Sequence, residues 1–334
     1  MGREAGRSSS LEVIALGGTI AMTASGDAGA QPVLDAAQLT AMLPDLSDRL
    51  QVRASTFRKI PGAQLVWEDL RELRGRIDEL FASGVDGVVV TQGTDTIEET
   101  AFALDLLGAA EQPIVVTGAM RHAGLLGADG PANLMDAIAV ASSKHARGAG
   151  VLVVMNGEVH AARFVSKRHT ARPSAFESPT CGPVGWVIEG RVRLPVRVSR
   201  RWSVDSTRDA EVPPVALVTA LMGDDGRTVR ALPDLGYAGA IIGGFGVGHV
   251  PVTMLDALTW LAERMPVVLA SRTGAGEGGR CTYGFAGSER DLLHRGLITA
   301  GALDPLKARV LLAVALGAGL SRDAIEDAFE QLSG

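Results

Sequence analysis

Short apolar runs alternate along this chain with longer stretches in which apolar residues recur every three to four positions. The runs predict buried strands near 11–17, 50–56, 85–91, 113–117, 150–155, 215–222, 239–243 and 266–271. The stretches predict helices near 35–43, 66–82, 97–108, 130–145, 251–263, 304–317 and 321–332. Strands that are apolar on both faces and separated by helices build a parallel sheet covered on both sides, so the expected fold class is α/β. The segment Ser199-Arg-Arg-Trp-Ser-Val-Asp-Ser-Thr-Arg-Asp-Ala-Glu-Val-Pro-Pro214 breaks the alternation, being polar, charged and closed by two prolines. It reads as an interdomain linker. The expected organisation is a large N-terminal parallel-sheet α/β domain over 1–198, a linker over 199–214 and a smaller C-terminal α/β domain over 215–334. No internal repeat at solenoid periods is visible.

Composition narrows the chemistry. With 334 residues, 46% of them hydrophobic, the chain can bury a large core. Its net charge is −6, its cations are scattered and only 4% of residues are aromatic, which argues against a nucleic-acid partner. Every apolar run is interrupted by glycine or charge before the roughly 18 to 20 residues needed to span a bilayer, and the polar start has no apolar signal region. A soluble cytoplasmic protein acting on a small polar substrate is expected. Cys181 and Cys281 lie far apart in the sequence, giving neither a disulfide framework nor a metal spacing, and read as reduced packing residues. The histidines form no zinc-binding pairing, so no metal or cofactor is expected.

Other familiar constellations are missing. There is no P-loop and no Gly-x-Ser-x-Gly elbow, and Gly243-Gly-Phe-Gly-Val-Gly248 lacks the spacing of a dinucleotide turn. What stands out is a pair of glycine-and-threonine loops, Leu16-Gly-Gly-Thr19 and Thr91-Gln-Gly-Thr-Asp-Thr96, each following a buried strand. Such loops fall at the carboxyl edge of a parallel sheet, where open α/β folds place their ligands. A threonine hydroxyl is a weak nucleophile and needs a base within hydrogen-bond reach, together with donors for an oxyanion. Asp95 and Lys144 are the candidate partners, Lys144 because it ends a largely apolar helical stretch just before a strand. The plainer roles compete: Thr94, Asp95 and Thr96 precede a helix as capping residues, Thr19 is a turn residue, and Lys144 complements a helix dipole.

The chain also resembles the bacterial-type L-asparaginase family, two-domain amidohydrolases that cleave the side-chain amide of asparagine and, to a varying degree, glutamine. Leu16-Gly-Gly-Thr-Ile-Ala21 and Thr91-Gln-Gly-Thr-Asp-Thr-Ile-Glu-Glu-Thr-Ala101 resemble its two signatures. Val116-Thr-Gly-Ala-Met-Arg121, Ala128-Asp-Gly-Pro-Ala-Asn-Leu134, Gly150-Val-Leu-Val-Val-Met-Asn156, Tyr283-Gly-Phe and Pro305-Leu-Lys-Ala-Arg-Val-Leu-Leu312 match in order. The resemblance implies that Thr19 is the nucleophile, that Thr94, Asp95 and Lys144 form a second catalytic triad, and that Gly93 and Ala119 line the pocket. It implies that the Gly62-Ala63-Gln64 turn holds the substrate's α-carboxylate and α-amino groups. Glu277 matches an acidic residue that reaches a neighbouring subunit's site, which implies a homodimer or homotetramer.

This sequence departs from the family's pattern in three places. The family often carries a tyrosine in the loop after the first threonine, but the only tyrosines here are Tyr237 and Tyr283. Thr23, Ser25 or water are the alternative sources of a hydroxyl there. Ala63 stands where many members have a serine, a hydrogen bond to a charged group worth about 1.5 to 3 kcal/mol. His249 stands where relatives tend to have asparagine. Two other functions share the fold: a tRNA-dependent amidotransferase subunit, which resembles this core with an extra N-terminal domain, and a catalytically idle amino-acid-binding protein.

Overall fold

The structure, a computed structural model, describes residues 9–24, 30–32, 35–41, 50–199, 202–204 and 211–333. The chain divides into two compact units, Met1–Arg200 and Arg201–Gly334.

In the first unit the strands are β1 (Ser9–Ala15), β2 (Met22–Ala24), β3 (Ala30–Pro32), β4 (Leu50–Thr56), β5 (Gly87–Thr91), β6 (Ile114–Thr117), β7 (Val151–Met155), β8 (Glu158–Ala161), β9 (Ser166–Lys167), β10 (Phe176–Glu177), β11 (Gly185–Ile188) and β12 (Arg191–Arg193). Its helices are α1 (Ala36–Ala41), α2 (Trp67–Ala82), α3 (Ile97–Leu106) and α4 (Gly130–Ala141). One eight-stranded sheet has the order β12-β11-β8-β7-β6-β5-β1-β4. The pairs from β4 through β7 are parallel, whereas β8, β11 and β12 add antiparallel strands, so the sheet is mixed rather than wholly parallel. The antiparallel turn falls at Asn156-Gly157, where both residues have positive φ, a conformation that glycine adopts without steric cost.

Strands β1, β5, β6 and β7 are buried along almost their whole length because each face packs on its own core. Alternation assigns the faces: Val13, Val89 and Val115 enter one cluster with α4, and Ile14, Val90 and Val116 enter the other with α2 and α3. Helix α3 is sealed off, with Phe102 and Leu104 fully buried. Its carboxyl end is closed by the buried Arg74, whose guanidinium donates to the carbonyls of Leu104 and Gly108.

Strand order places the functional region. From β1 the chain passes to β4 on one side and then returns to β5 on the other. The sheet therefore has its switch point at β1, and the crevice outside its carboxyl end is the expected ligand position.

The second unit carries β13 (Val215–Thr219), β14 (Gly239–Gly244), β15 (Val267–Ser271) and β16 (Ile298–Thr299) in one parallel sheet. Its helices are α5 (Arg227–Ala231), α6 (Leu255–Ala262), α7 (Glu289–His294), α8 (Pro305–Gly317) and α9 (Arg322–Ser333). Of the polar stretch 199–214, residues 200–201 and 205–210 lie outside the described residues. Cys181 and Cys281 are free and exposed, so neither is the packing residue that the sequence suggested. No helix among the described residues is long and apolar enough to cross a membrane.

Candidate active site

Four loops meet at the carboxyl edge, following β4, β1, β5 and β6, and glycines let their backbones touch. A Cβ on Gly18 would lie 2.0 Å from the Gly93 nitrogen, and one on Gly93 would lie 2.7 Å from the Gly62 nitrogen. A Cβ on Gly118 would meet the Gln92 carbonyl oxygen at 2.7 Å and the Thr94 Cγ2 at 3.2 Å. Any side chain at these positions would drive the loops apart. Gly17 and Gly18 also hold φ of 105° and 80°, which L side chains rarely adopt.

Hydrogen bonds fix what the glycines bring together. The Leu16 N–H donates to the Thr91 carbonyl at 2.8 Å, and the Ile60 N–H to the Leu16 carbonyl at 3.1 Å. The Thr96 hydroxyl donates to the Gly62 carbonyl at 3.0 Å and accepts from the buried Gln92 amide at 3.3 Å. Thr96 thus ties the loop after β5 to the Gly62–Gln64 turn and makes no side-chain cap on α3. Behind that turn, Asp69 accepts from the Val66 N–H and pairs with Arg58.

The loop after β6 is held from below. Asp129 accepts from the Met120 and Arg121 N–H groups, and the buried Asn133 donates to the Gly118 carbonyl. Asn133 also receives the Asn156 N–H through its amide oxygen. The stretch Ala128–Leu134 therefore serves as a scaffold for Ala119, which is fully buried and follows Gly118, the glycine that packs against Thr94.

Thr94 is buried and Asp95 exposed, side by side in one turn, Thr94–Thr96, that leads into α3. The lysine that reaches them is Lys167. Its Nζ lies 2.9 Å from Thr94 Oγ1, to which it donates, and 2.9 Å from Asp95 Oδ1. The Lys167 side chain is only 17% exposed, against 63% for Asp95, so the pair sits where the edge opens to solvent.

Lys144 does not join them. It follows α4, which returns from the carboxyl end of β6 to the amino end of β7, and it is exposed. The packing of the Ala141 carbonyl against Gly87, the first residue of β5, fixes that end of α4 at the amino edge of the sheet. Thr94 follows the carboxyl end of β5, so a full strand length separates the two residues. Lys167, and not the expected Lys144, is the lysine that meets Thr94, because residues between a helix and the next parallel strand lie at the amino edge, away from the loop that carries Thr94.

Thr19 opens a single helical turn, Thr19–Ala21, beside the Gly18–Gly93 contact and is half-buried. Among the described residues nothing hydrogen-bonds its hydroxyl. The chain then enters the β2–β3 hairpin, which includes Thr23, whereas Ser25 lies outside the described residues. Ala63 and Gln64 are exposed on the turn after β4. In the second unit Glu277 is exposed on the loop after β15. There His249 pairs with the buried Glu289 at 3.1 Å and stands edge-on to Tyr283 and Phe285, each 4.9 Å away. Burial pushes the Glu289 carboxyl up, but donors from the Tyr283 N–H, its own N–H and His249 more than offset this and leave it below its ordinary value. Among the described residues no cluster of His, Cys, Asp or Glu could hold a metal ion.

A threonine hydroxyl held by a lysine amine, next to tightly packed backbone N–H groups at a sheet switch point, is equipped to move a proton during attack on a carbonyl carbon. That is the chemistry of a hydrolase. Residues 10–200 match the model of the N-terminal domain of asparaginase, and residues 214–329 match that of the glutaminase/asparaginase C-terminal domain. A probable L-asparaginase of Deinococcus radiodurans is 38% identical over 331 residues, covering 96% of this chain and 97% of that one. The glutaminase-asparaginase of Pseudomonas fluorescens biotype A is 36% identical over 317 residues, covering 91% and 85%. The crystal structure of a probable cytoplasmic L-asparaginase from Campylobacter jejuni superposes with a TM-score of 0.88 at 31% identity, covering 97% of this chain and 99% of that one. The chain belongs to the asparaginase family.

Proposed function

We propose that this protein hydrolyses the side-chain amide of L-asparagine to L-aspartate and ammonia, with L-glutamine as a second substrate, and that Thr19 is its nucleophile. The observation that carries this reading is Lys167 Nζ, which lies 2.9 Å from both Thr94 Oγ1 and Asp95 Oδ1, two residues whose loop is locked to the Thr19 loop through Gly18 and Gly93. The substrate's α-carboxylate sits on the Gly62–Gln64 turn, and its α-ammonium pairs with the exposed Asp95. Thr19 Oγ attacks the amide carbon, and backbone N–H groups at Gly93 and Thr94 stabilise the oxyanion. The Thr19–carbon bond forms, the carbon–nitrogen bond breaks, and the nitrogen leaves as ammonia with a proton relayed through Thr94 and Lys167. Water then adds to the aspartyl ester and regenerates the Thr19 hydroxyl. Lys167 replaces Lys144 in this scheme because it alone of the two reaches Thr94.

The active protein is a homo-oligomer in which Glu277 completes a neighbouring subunit's site. Light scattering gives the assembly, and Glu277→Ala should lower turnover without dissociating it. A coupled ammonia assay with L-asparagine, L-glutamine and their D-isomers tests the reaction, and titration calorimetry reads binding. Ammonia release from L-asparagine at a rate proportional to enzyme concentration is expected. Binding of L-asparagine without turnover would instead make the protein an idle amino-acid binder.

A further inference from the structure

Lys167 reaches Thr94 from a poor support. Strands β9 and β10 have two residues each, paired as Lys167 with Phe176 and Ser166 with Glu177. One further bond, from the Arg168 N–H to the Ala175 carbonyl at 2.7 Å, extends the ribbon, and much of the connection beyond it is exposed. A ribbon of this length is not stable by itself. The lysine also has a flexible stem, so holding it against one hydroxyl costs rotamer entropy and requires a backbone fixed at the right distance.

The ribbon is fixed at two points. Phe176 is buried in the core cluster that contains Ile97 and Val116. Ser178, directly after β10, is buried, and its Oγ lies 3.0 Å from Nδ1 of His160 in β8. The Ser178 carbonyl accepts from the Gly182 N–H at 2.8 Å, which anchors the next turn at the same residue. His160 is completely buried, and burial lowers its pKa to about 4, so the ring that meets Ser178 is neutral. Its Nε2 lies 3.4 Å from Glu158 Oε2, without hydrogen-bond geometry. A serine, an imidazole and a carboxylate in line resemble a hydrolytic triad, but here hydroxyl and ring are sealed from solvent and no substrate can reach them.

We propose that His160 and Ser178 are positioning residues for the reaction, a buried brace that joins the sheet at β8 to the end of β10 and so sets the reach of Lys167 to Thr94. The proposal rests on the reading that Lys167 and Thr94 move the proton in amide hydrolysis. Neither residue touches the site, and the Gly62–Gln64 turn is held by a separate network through Thr96 and Asp69. Loss of the brace should therefore lower kcat and leave substrate binding intact.

The test compares Ser178→Ala, His160→Leu, His160→Gln and Lys167→Met, each assayed for ammonia release from L-asparagine well below its thermal midpoint, with L-aspartate binding measured by calorimetry. Ser178→Ala and His160→Leu should lose on the order of 10-fold to 100-fold in kcat, the cost of a misplaced catalytic group. Their KM and L-aspartate affinity should match the parent protein, and His160→Gln, whose amide can still meet Ser178, should recover most of the rate. Unchanged kcat in Ser178→Ala would overturn the brace, as would a loss shared equally with L-aspartate binding or one not restored by glutamine. Ser178→Ala decides alone if His160→Leu fails to fold. Full turnover in Lys167→Met would instead overturn the reading beneath the proposal, so the two failures are distinct.

Discussion

Thr19 and Thr94 leave adjacent strands at the same edge, on loops whose glycines touch, yet the protein treats their hydroxyls differently. Thr94 is buried, receives a hydrogen bond from Lys167 and stands at the start of a sealed helix. Thr19 is half-buried, sits on a single turn and leads into a two-stranded hairpin instead of a long helix. A fixed hydroxyl beside an amine suits proton transfer, whereas a more open hydroxyl suits a group that must form and release a bond. The contrast fits the proposed roles, with Thr94 in the fixed part of the site and Thr19 in the part that would meet the substrate.

The largest effect should come from removing either hydroxyl. Thr19→Ala and Thr94→Ala should each lower kcat by roughly three or more orders of magnitude, about 4 kcal/mol in the barrier, with little change in thermal midpoint. The division of labour adds a sharper expectation: any aspartyl ester trapped by acid quench during turnover of the parent protein should sit on the Thr19 peptide, and Thr19→Ala should carry none. An ester on Thr94 would reverse the assignment.

Next in size is the interlock. Gly18→Ala would place a methyl group 2.0 Å from the Gly93 nitrogen at a φ of 80°, so the two loops must separate. A stability loss of about 3 to 4 kcal/mol in urea unfolding, together with lost activity, is expected. A variant with parent-like stability would show that the loops are not packed as described.

The pH response of the brace follows. In the unfolded chain His160 titrates near 6.5, whereas burial lowers it to about 4 in the folded protein. Between those values the unfolded chain binds the extra proton, so stability is present above pH 6.5 and declines as pH falls towards 4. The full difference is about 3 kcal/mol. His160→Leu should remove that share of the pH dependence of unfolding, and parallel curves for the two proteins would refute it.

The smallest effect concerns the link between loops. Thr96→Val deletes the hydroxyl that donates to the Gly62 carbonyl and accepts from Gln92. About 1 kcal/mol is at stake, read as a roughly fivefold rise in KM for L-asparagine with kcat nearly unchanged. The opposite split, a kcat loss at constant KM, would place Thr96 in the chemistry.

The parallel core was legible in the sequence because its signals are local and repetitive. All eight apolar runs became strands, and the predicted helices formed, with most ends displaced by a few residues. The short antiparallel strands from β8 to β12 escaped because two to four residues give no usable period and their pairing is set by the turn at Asn156-Gly157 and by packing. That gap is what misplaced the lysine. Lys144 ends a readable helix, while Lys167 sits in a two-residue strand whose partner, Phe176, lies in the other strand of the ribbon. Chain direction would have helped, since residues between a helix and the next parallel strand occupy the amino edge. The glycine interlock was only half legible: the motifs were visible, but which glycines touch depends on strand order.

The claim that matters most is that Lys167, and not Lys144, works with Thr94 and Asp95. Ammonia release from saturating L-asparagine by Lys167→Met and Lys144→Met, measured beside the parent protein, tests it directly. The account predicts a loss of roughly three orders of magnitude for Lys167→Met and parent-like turnover for Lys144→Met. Parent-like turnover in Lys167→Met, or its collapse in Lys144→Met, would contradict it.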